Sequence, residues 1–167
     1  MSVIQPFDED LLRRAIRLAL ASRDRGGEPF GAVLALDGGI VHESCDRSLE
    51  LSDPTSHAEL AVISAYCRDA RRLRLTGYSL YCSAEPCAMC AGAIFWSRLS
   101  RLVFSVTQEA LRGLSQGPPR PSCAAILNPD GQRIEVVGPL LSGEGLRVFD
   151  GFAFGGKFER WQAQTRS

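Results

Sequence analysis

Between residues 78 and 106 the sequence predicts a strand, a helix and a second strand in direct succession. Tyr78–Ser83 and Leu99–Val106 are rich in the apolar and β-branched residues typical of buried strands. Cys87–Trp96 has the pattern of a helix, and Pro86 suits its first turn. A crossover of this kind is right-handed and leaves its two strands parallel. We therefore expect an open α/β sheet.

The residues before this unit predict a helix, a hairpin and a second helix. The first helix is expected over 8–24 and ends at Gly26-Gly27. The hairpin has strands over 30–36 and 40–45, joined by a turn at Asp37-Gly38-Gly39. A polar loop over 46–56 leads to the second helix, which is expected over 57–67.

The residues after this unit are less regular. Residues 113–131 contain four prolines and predict an irregular loop. A last strand is expected over 134–137 and a helix from Gly143. The terminal segment is aromatic, with Phe152, Phe154, Phe158 and Trp161. We expect this segment to pack at a dimer interface; closure over the pocket of this or a neighbouring chain is the alternative.

The composition excludes several classes of protein. Hydrophobic residues make up 45% of the 167, and 19 basic residues balance 19 acidic ones. This excludes disorder and disfavours a basic nucleic-acid or membrane-binding surface. No apolar run reaches the length of a membrane span, and the first ten residues lack the pattern of a secretion signal. We expect one cytoplasmic domain, in which the six cysteines are buried thiols or metal ligands.

One histidine and two cysteines suggest a metal site. His57-Ala58-Glu59 and Pro86-Cys87-Ala88-Met89-Cys90 begin the two predicted helices at the same sheet edge. Cysteines three residues apart face the same way on a helix, and a helix N-terminus lowers the pKa of a thiol. With His57 they would give Zn²⁺ three ligands and leave one tetrahedral position open, as in a catalytic site. Glu59 is placed to accept a proton from water and to deliver it to a leaving group.

Each half of this pattern is weak alone. A lone Cys-x-x-Cys also fits a redox pair or core packing, and a lone His-x-Glu occurs by chance. Together they match the signature of zinc-dependent nucleobase deaminases, in which the glutamate is an acid and base and not a ligand.

On these residues the chain resembles the cytidine-deaminase-like superfamily, and within it the branch of cytosine, guanine and tRNA-adenosine deaminases. The resemblance extends over about 29–106 and rests on Pro29-Phe30-Gly31-Ala32-Val33, Asp53–Glu59 and Glu85–Ile94. It implies a three-layer α/β/α fold around a five-stranded mixed sheet and a homodimer. It also implies one Zn²⁺ per subunit and hydrolytic loss of an exocyclic amino group as ammonia.

The resemblance also implies roles for individual residues. His57, Cys87 and Cys90 would bind zinc, and Glu59 would transfer protons. The implied substrate contacts are Phe30 lining the pocket, the Ala58 amide on the ring edge, the backbone from Ser83 to Glu85 facing the departing amine, and Trp96 packing on the flat base. A tryptophan at this place is a feature that the chain shares with guanine deaminases. Alternatively, Trp96 is an aromatic residue of the hydrophobic core.

One position departs from that branch. Eleven residues before His57 the branch usually has an asparagine that hydrogen-bonds the purine edge, and here the residue is Asp46. An ionised aspartate only accepts, and guanine presents the acceptors N7 and O6. Asp46 therefore favours a substrate with N–H donors, such as an aminopyrimidine, triazine, pterin or altered purine. Alternatively, Asp46 caps a turn, or pairs with Arg47 or another arginine.

Three functions follow from this sequence. The first is zinc-dependent deamination of a free nucleobase or related amino-heterocycle, with no nucleic-acid or membrane partner. The second is a tRNA adenosine deaminase, for which the zero net charge is unfavourable, although Arg68, Arg71, Arg72 and Arg74 form a local basic cluster. The third is a non-catalytic member that keeps zinc for stability, which Glu59 disfavours.

Overall fold

The computed structural model describes residues 3–131 and 133–165. Within them, a five-stranded sheet has the order β2-β1-β3-β4-β5. Its strands are β1 (Gly31–Leu36), β2 (Gly39–Cys45), β3 (Tyr78–Ala84), β4 (Arg101–Val106) and β5 (Glu135–Val137). β1 is antiparallel to β2 and β3, whereas β3, β4 and β5 are parallel. The predicted mixed sheet and its parallel crossover are confirmed.

Helices cover both faces of the sheet. They are α1 (Asp8–Asp24), α2 (Ala58–Asp69), α3 (Ala88–Trp96), α4 (Gln108–Ser115), α5 (Cys123–Leu127), α6 (Ser142–Leu146) with a 3-10 turn over Arg147–Phe149, and α7 (Lys157–Thr165). None of the helices in the described residues is long and apolar enough to cross a membrane.

The strands divide the core between the two faces because successive side chains point in opposite directions. Leu34, Leu80 and Leu102 are fully buried in the core that includes residues of α2 and α3. Their neighbours Val33, Tyr81 and Val103 are fully buried in the core that includes residues of α1. The chain therefore has the expected three-layer α/β/α fold.

The prediction of an irregular loop over 113–131 is wrong in part. α4 extends to Ser115, and α5 occupies Cys123–Leu127. Pro118, Pro119 and Pro121 all precede the N-cap residue Ser122, so they do not interrupt α5. α5 forms because Cys123 and Leu127, one turn apart, are buried in the core with residues of α3. This apolar pair is too short to stand out among the prolines.

A buried ion pair joins the start of α1 to β4. Asp8 is 0% exposed, and its two carboxylate oxygens accept hydrogen bonds from Arg101 at 2.6 and 2.8 Å. Tyr81 Oη donates to the same carboxylate at 2.9 Å, and the Gln5 backbone N–H donates to it at 2.7 Å. Burial by itself would raise the pKa of Asp8, but the hydrogen bonds from Arg101, Gln5 and Tyr81 lower it below its usual value. Asp8 therefore stays ionised.

Candidate active site

Four strands have one end at the same edge of the sheet. β3 and β4 are parallel and finish there, β1 is antiparallel to β3 and starts there, and β2 finishes beside the start of β1. Asp46 donates its backbone N–H to the Phe30 carbonyl at 3.0 Å, and Glu85 donates to the Val106 carbonyl at 2.7 Å. The topology therefore places residues that are far apart in sequence at the edge where α/β sheets bind ligands.

The metal-binding motif is assembled at this edge by two helix starts. His57 and Cys87 are the N-cap residues of α2 and α3, each with an extended backbone. His57 Nδ1 lies 3.6 Å from Cys87 Sγ and 3.8 Å from Cys90 Sγ. All three atoms are within 4.8 Å of one another. The structure thus brings together the three residues that the sequence singled out.

These distances fit a zinc ion. With Zn–N and Zn–S bonds of about 2.0 and 2.3 Å, a tetrahedral centre holds its nitrogen about 3.5 Å from each sulfur. The separations of 3.6 and 3.8 Å agree with this geometry. The group can therefore bind a metal with three protein ligands.

The electrostatics of the cluster favour a thiolate. Hydrogen bonds from the Cys90 thiol and from His57 lower the pKa of Cys87, although burial opposes them. The contact with Cys87 raises the pKa of His57. The hydrogen bond to Cys87 and burial both raise the pKa of Cys90. A thiolate is the form of cysteine that binds metals, and cation binding would release the remaining thiol proton.

Glu59 lies in the first turn of α2 and lines the same cavity as His57 and Cys87. It is only 8% exposed, and burial raises the pKa of its carboxyl to about 7. A carboxyl group in this range can both take up and release a proton near neutral pH. Its position agrees with the predicted proton transfer.

The cavity has a volume of about 250 Å³, and the predicted residues form only part of its wall. Phe30, Asp46 and Glu85 line it as expected. Residues that the sequence did not single out also line it, among them Glu28, Gln108, Leu111, Arg120 and Lys157, and so does Phe154 of the aromatic segment. Only Phe154 had a signal in the sequence.

Glu85 is an anchor for the surrounding backbone. Its carboxylate accepts the backbone N–H of Gln108 and of Cys123, both at 2.8 Å. Its carbonyl accepts from Gln108 Nε2 at 2.6 Å. Ser83 is buried outside the cavity lining, where its hydroxyl accepts the Gly31 N–H at 3.0 Å. Ala84 and Glu85 line the cavity and Ser83 does not, so the predicted backbone stretch is corrected to these two residues.

Two further predictions have different outcomes. Trp96 is 76% exposed, so both its stacking on a base in this cavity and its place in the core are wrong. The reason is distance, because nine residues of helix place Trp96 about 13 Å along α3 from Cys87. Ala58 is buried and its side chain does not line the cavity. Its amide is at the first position of α2, where helical N–H groups lack an intrahelical partner, and its contact with the substrate stays a prediction.

Asp46 caps a turn and also faces the cavity. Its Oδ1 accepts the backbone N–H of Ser48 at 2.9 Å and the Ser48 hydroxyl at 2.5 Å. Arg47 pairs instead with Glu50, at 2.6 Å. Turn capping is thus confirmed and pairing with Arg47 is wrong. Because Asp46 lines the cavity, its contact with a substrate remains a prediction.

The aromatic segment forms part of the cavity wall in its own chain. Arg160 pairs with Glu28, and its guanidinium lies 4.9 Å from the centre of the Phe152 ring. Phe154 stacks on Phe149 with ring centres 5.6 Å apart. On α7, Trp161 Nε1 donates to Ser52 Oγ at 2.8 Å. These contacts fix Phe154 and Lys157 in the cavity wall; the expected dimer interface stays a prediction.

Three comparisons with known proteins agree with this geometry. The sequence model of the cytidine and deoxycytidylate deaminase zinc-binding region matches residues 5–106. A probable cytosine deaminase of Schizosaccharomyces pombe is 35% identical over 164 residues, which is 94% of this chain and 100% of that one. The guanine deaminase structure from Bacillus subtilis superposes with a TM-score of 0.62 at 28% identity, covering 95% of this chain and 94% of that one.

A tRNA-specific adenosine deaminase of Haemophilus influenzae is 42% identical over 102 residues. That match covers 60% of this chain and 59% of the relative, so this chain aligns with less than two thirds of it. The family match ends at residue 106, before Gln108, Arg120, Phe154 and Lys157.

Proposed function

The chain belongs to the cytidine and deoxycytidylate deaminase family of zinc-dependent C–N hydrolases, and we propose that its substrate is a free nucleobase or a related small amino-heterocycle. The observation that carries the proposal is the small cavity that is lined by His57, Cys87 and Glu59 and lies beside Cys90. Its volume of about 250 Å³ is at the small end for ligand pockets, which favours a compact ring.

Two further observations support a small substrate. Phe154 and Lys157 of the same chain form part of the cavity wall, and the Arg160–Glu28 ion pair holds this segment in place. The match to the probable cytosine deaminase covers 94% of the chain, whereas that to the tRNA-specific enzyme covers 60%.

Zinc held by His57, Cys87 and Cys90 would lower the pKa of water to about 7 and so supply the nucleophile for hydrolysis. Glu59 would accept one proton from the attacking water and pass it to the ring nitrogen as the oxygen adds to the amino-bearing carbon. It would then accept the hydroxyl proton of the adduct and pass it to the amine, so that the C–N bond breaks, ammonia leaves and a ring carbonyl remains. Phe30 and Phe154 hold the ring and exclude other water molecules from the cavity.

The tRNA adenosine deaminase is the second candidate, since relatives with that activity match this chain. The basic cluster gives it no support. Arg71, Arg72 and Arg74 are exposed beyond the C-terminal end of α2. Eleven residues of helix separate His57 from Arg68, which amounts to about 16 Å. These arginines therefore do not flank the cavity. The homodimer also remains a prediction, which sedimentation velocity would check.

A substrate panel tests the proposed function. We expect the zinc-loaded protein to release ammonia from at least one member of a panel of purines, aminopyrimidines, aminotriazines and pterins, as measured with a coupled ammonia assay. A tRNA transcript is included, and inosine is measured by mass spectrometry. Ammonia from the small compounds without inosine supports the proposal. If no compound of the panel releases ammonia and inosine is formed in the tRNA, the proposed function is replaced by tRNA adenosine deamination.

Asp46→Asn is expected to shift selectivity towards guanine by about tenfold or more in kcat/KM relative to aminopyrimidines. Oδ1 of the asparagine can keep both hydrogen bonds from Ser48, so the turn persists. The amide then offers an N–H donor to N7 or O6 of guanine. That acceptor of guanine is no longer left unpaired, which would cost about 1–3 kcal/mol of binding free energy. Asp53→Asn is the control, because Asp53 caps a turn in the same loop without lining the cavity. An unchanged profile in Asp46→Asn would show that Asp46 only caps the turn.

A further inference from the structure

The cavity wall contains two cationic side chains that the proposed reaction does not use. Arg120 and Lys157 line the cavity, and neither forms an ion pair with any residue that the structure describes. Lys157 is the single lysine of a chain that otherwise has eighteen arginines. The one lysine therefore lies in the wall of the cavity.

The four carboxylates of the same wall form no ion pair with Arg120 or Lys157. Glu28 pairs with Arg160, and Glu85 accepts two backbone N–H groups. Asp46 accepts from the backbone and the hydroxyl of Ser48. Glu59 lies in the first turn of α2, beside the metal-binding cluster. Within the described part of the chain, no carboxylate therefore contacts Arg120 or Lys157.

Both cations are positioned by the surrounding structure. Arg120 lies between Pro119 and Pro121, which restrict its backbone, and its Nη1 is 3.5 Å from Gln108 Oε1. Lys157 is half-buried at the first residue of α7. Both belong to segments after β4, whereas the metal-binding cluster belongs to α2 and α3. Because His57 and Cys87 line the same cavity as Arg120 and Lys157, one ligand can contact the cluster with one group and these cations with another.

We infer that Arg120 and Lys157 bind an anionic substituent, a carboxylate or a phosphate, on the heterocycle that is deaminated. The inference rests on the proposed function, since it places the amino group at the cluster and the anion at the other end of the molecule. Guanidinium groups bind such oxyanions through paired N–H donors, and ammonium groups bind them as point charges. The substrate class is then an amino-heterocycle acid and not a neutral base.

Matched pairs of compounds test this inference. Pterin is compared with pterin-6-carboxylate, and cytidine with cytidine 5′-monophosphate, so that the two arms distinguish a carboxylate from a phosphate. We expect the anionic member of at least one pair to have a KM about 10- to 100-fold lower than its neutral partner. Added salt should reduce the preference, because the cations are partly exposed.

Substitutions locate the preference on the two cations. Arg120→Gln and Lys157→Gln should each raise the KM of the anionic member about tenfold more than that of the neutral member. Lys157→Arg, which keeps the positive charge, should keep the preference for the anionic member that Lys157→Gln loses. Arg112→Gln is the matched control, because Arg112 is exposed on α4 and does not line the cavity.

Chemical labelling gives a readout that does not need turnover. Reductive methylation of the Lys157 amine, quantified by peptide mass spectrometry, should be slowed by pterin-6-carboxylate or cytidine 5′-monophosphate and not by their neutral partners. Such protection without ammonia release would support the anion site and contradict the proposed deamination. Ammonia release with equal KM values and no selective protection would overturn the anion site and leave deamination standing. Protection by an anticodon stem-loop RNA alone would also overturn it.

Discussion

Glu59→Gln is expected to lower kcat for ammonia release by about 10²- to 10⁴-fold, the usual contribution of a general acid–base group. The amide has nearly the same size as the carboxyl, so the cavity and the ligands His57, Cys87 and Cys90 are preserved. What is lost is the group that accepts and returns protons near neutral pH, since burial holds the pKa of Glu59 at about 7. Activity is measured on the best substrate of the panel, and zinc content by elemental analysis.

The control for this experiment is Glu109→Gln, because Glu109 also lies in the first turn of a helix but is exposed outside the cavity lining. It should leave kcat unchanged. Stoichiometric zinc with activity lost in Glu59→Gln alone supports proton transfer by Glu59. Activity within a few-fold of the parent protein would contradict the mechanism, and loss of zinc would show that Glu59 acts on the metal site instead.

Asp8→Ala is expected to lower the free energy of unfolding by about 3–5 kcal/mol, because it leaves the buried Arg101 without its principal partner. Glu135, whose carboxylate accepts from Arg101 Nε at 2.9 Å, is the acidic partner that remains. The midpoint of thermal unfolding should fall by about 6–20 °C for a chain of this size. Differential scanning calorimetry and urea unfolding measure the two quantities.

The pH dependence of this effect has a defined sign. The folded state lowers the pKa of Asp8 below its model-peptide value of 3.8, so the stabilisation is fully present above pH 4 to 5. It is lost as the pH falls through the folded-state pKa. The difference between the parent protein and Asp8→Ala should therefore narrow below pH 4. Asp10→Ala, which removes an exposed carboxylate 3.8 Å from Arg13, should change stability by less than about 0.5 kcal/mol. Equal effects of the two substitutions would contradict the role of burial.

The metal-binding cluster was predictable because its geometry is local. His57, Cys87 and Cys90 each lie in or beside the first turn of a helix, and a short motif specifies that turn. The predicted strand–helix–strand crossover then brings the two helix starts to one edge of the sheet. The signature and the topology were therefore sufficient to place these residues together.

The cavity-wall residues that follow β4 were not predictable in the same way. Gln108, Arg120 and Lys157 have no motif, and they reach the cavity through contacts between segments distant in sequence. Gln108, for example, is held by Glu85, 23 residues earlier. Trp96 shows the opposite error, because its residue type suggested a base contact while the length of α3 carries it away from the cavity.

The boundary between these two parts of the site has a consequence for how the protein can diversify. The family match stops at residue 106, and the later residues contribute Arg120, Phe154 and Lys157 to the wall. The metal-binding cluster and Glu59 lie within the family match, whereas these three wall residues lie outside it. Substitutions after β4 can therefore alter the cavity wall without changing the residues that would bind zinc or transfer protons. Variant libraries aimed at selectivity should cover 108–157 together with Phe30 and Asp46, which line the cavity but precede that boundary.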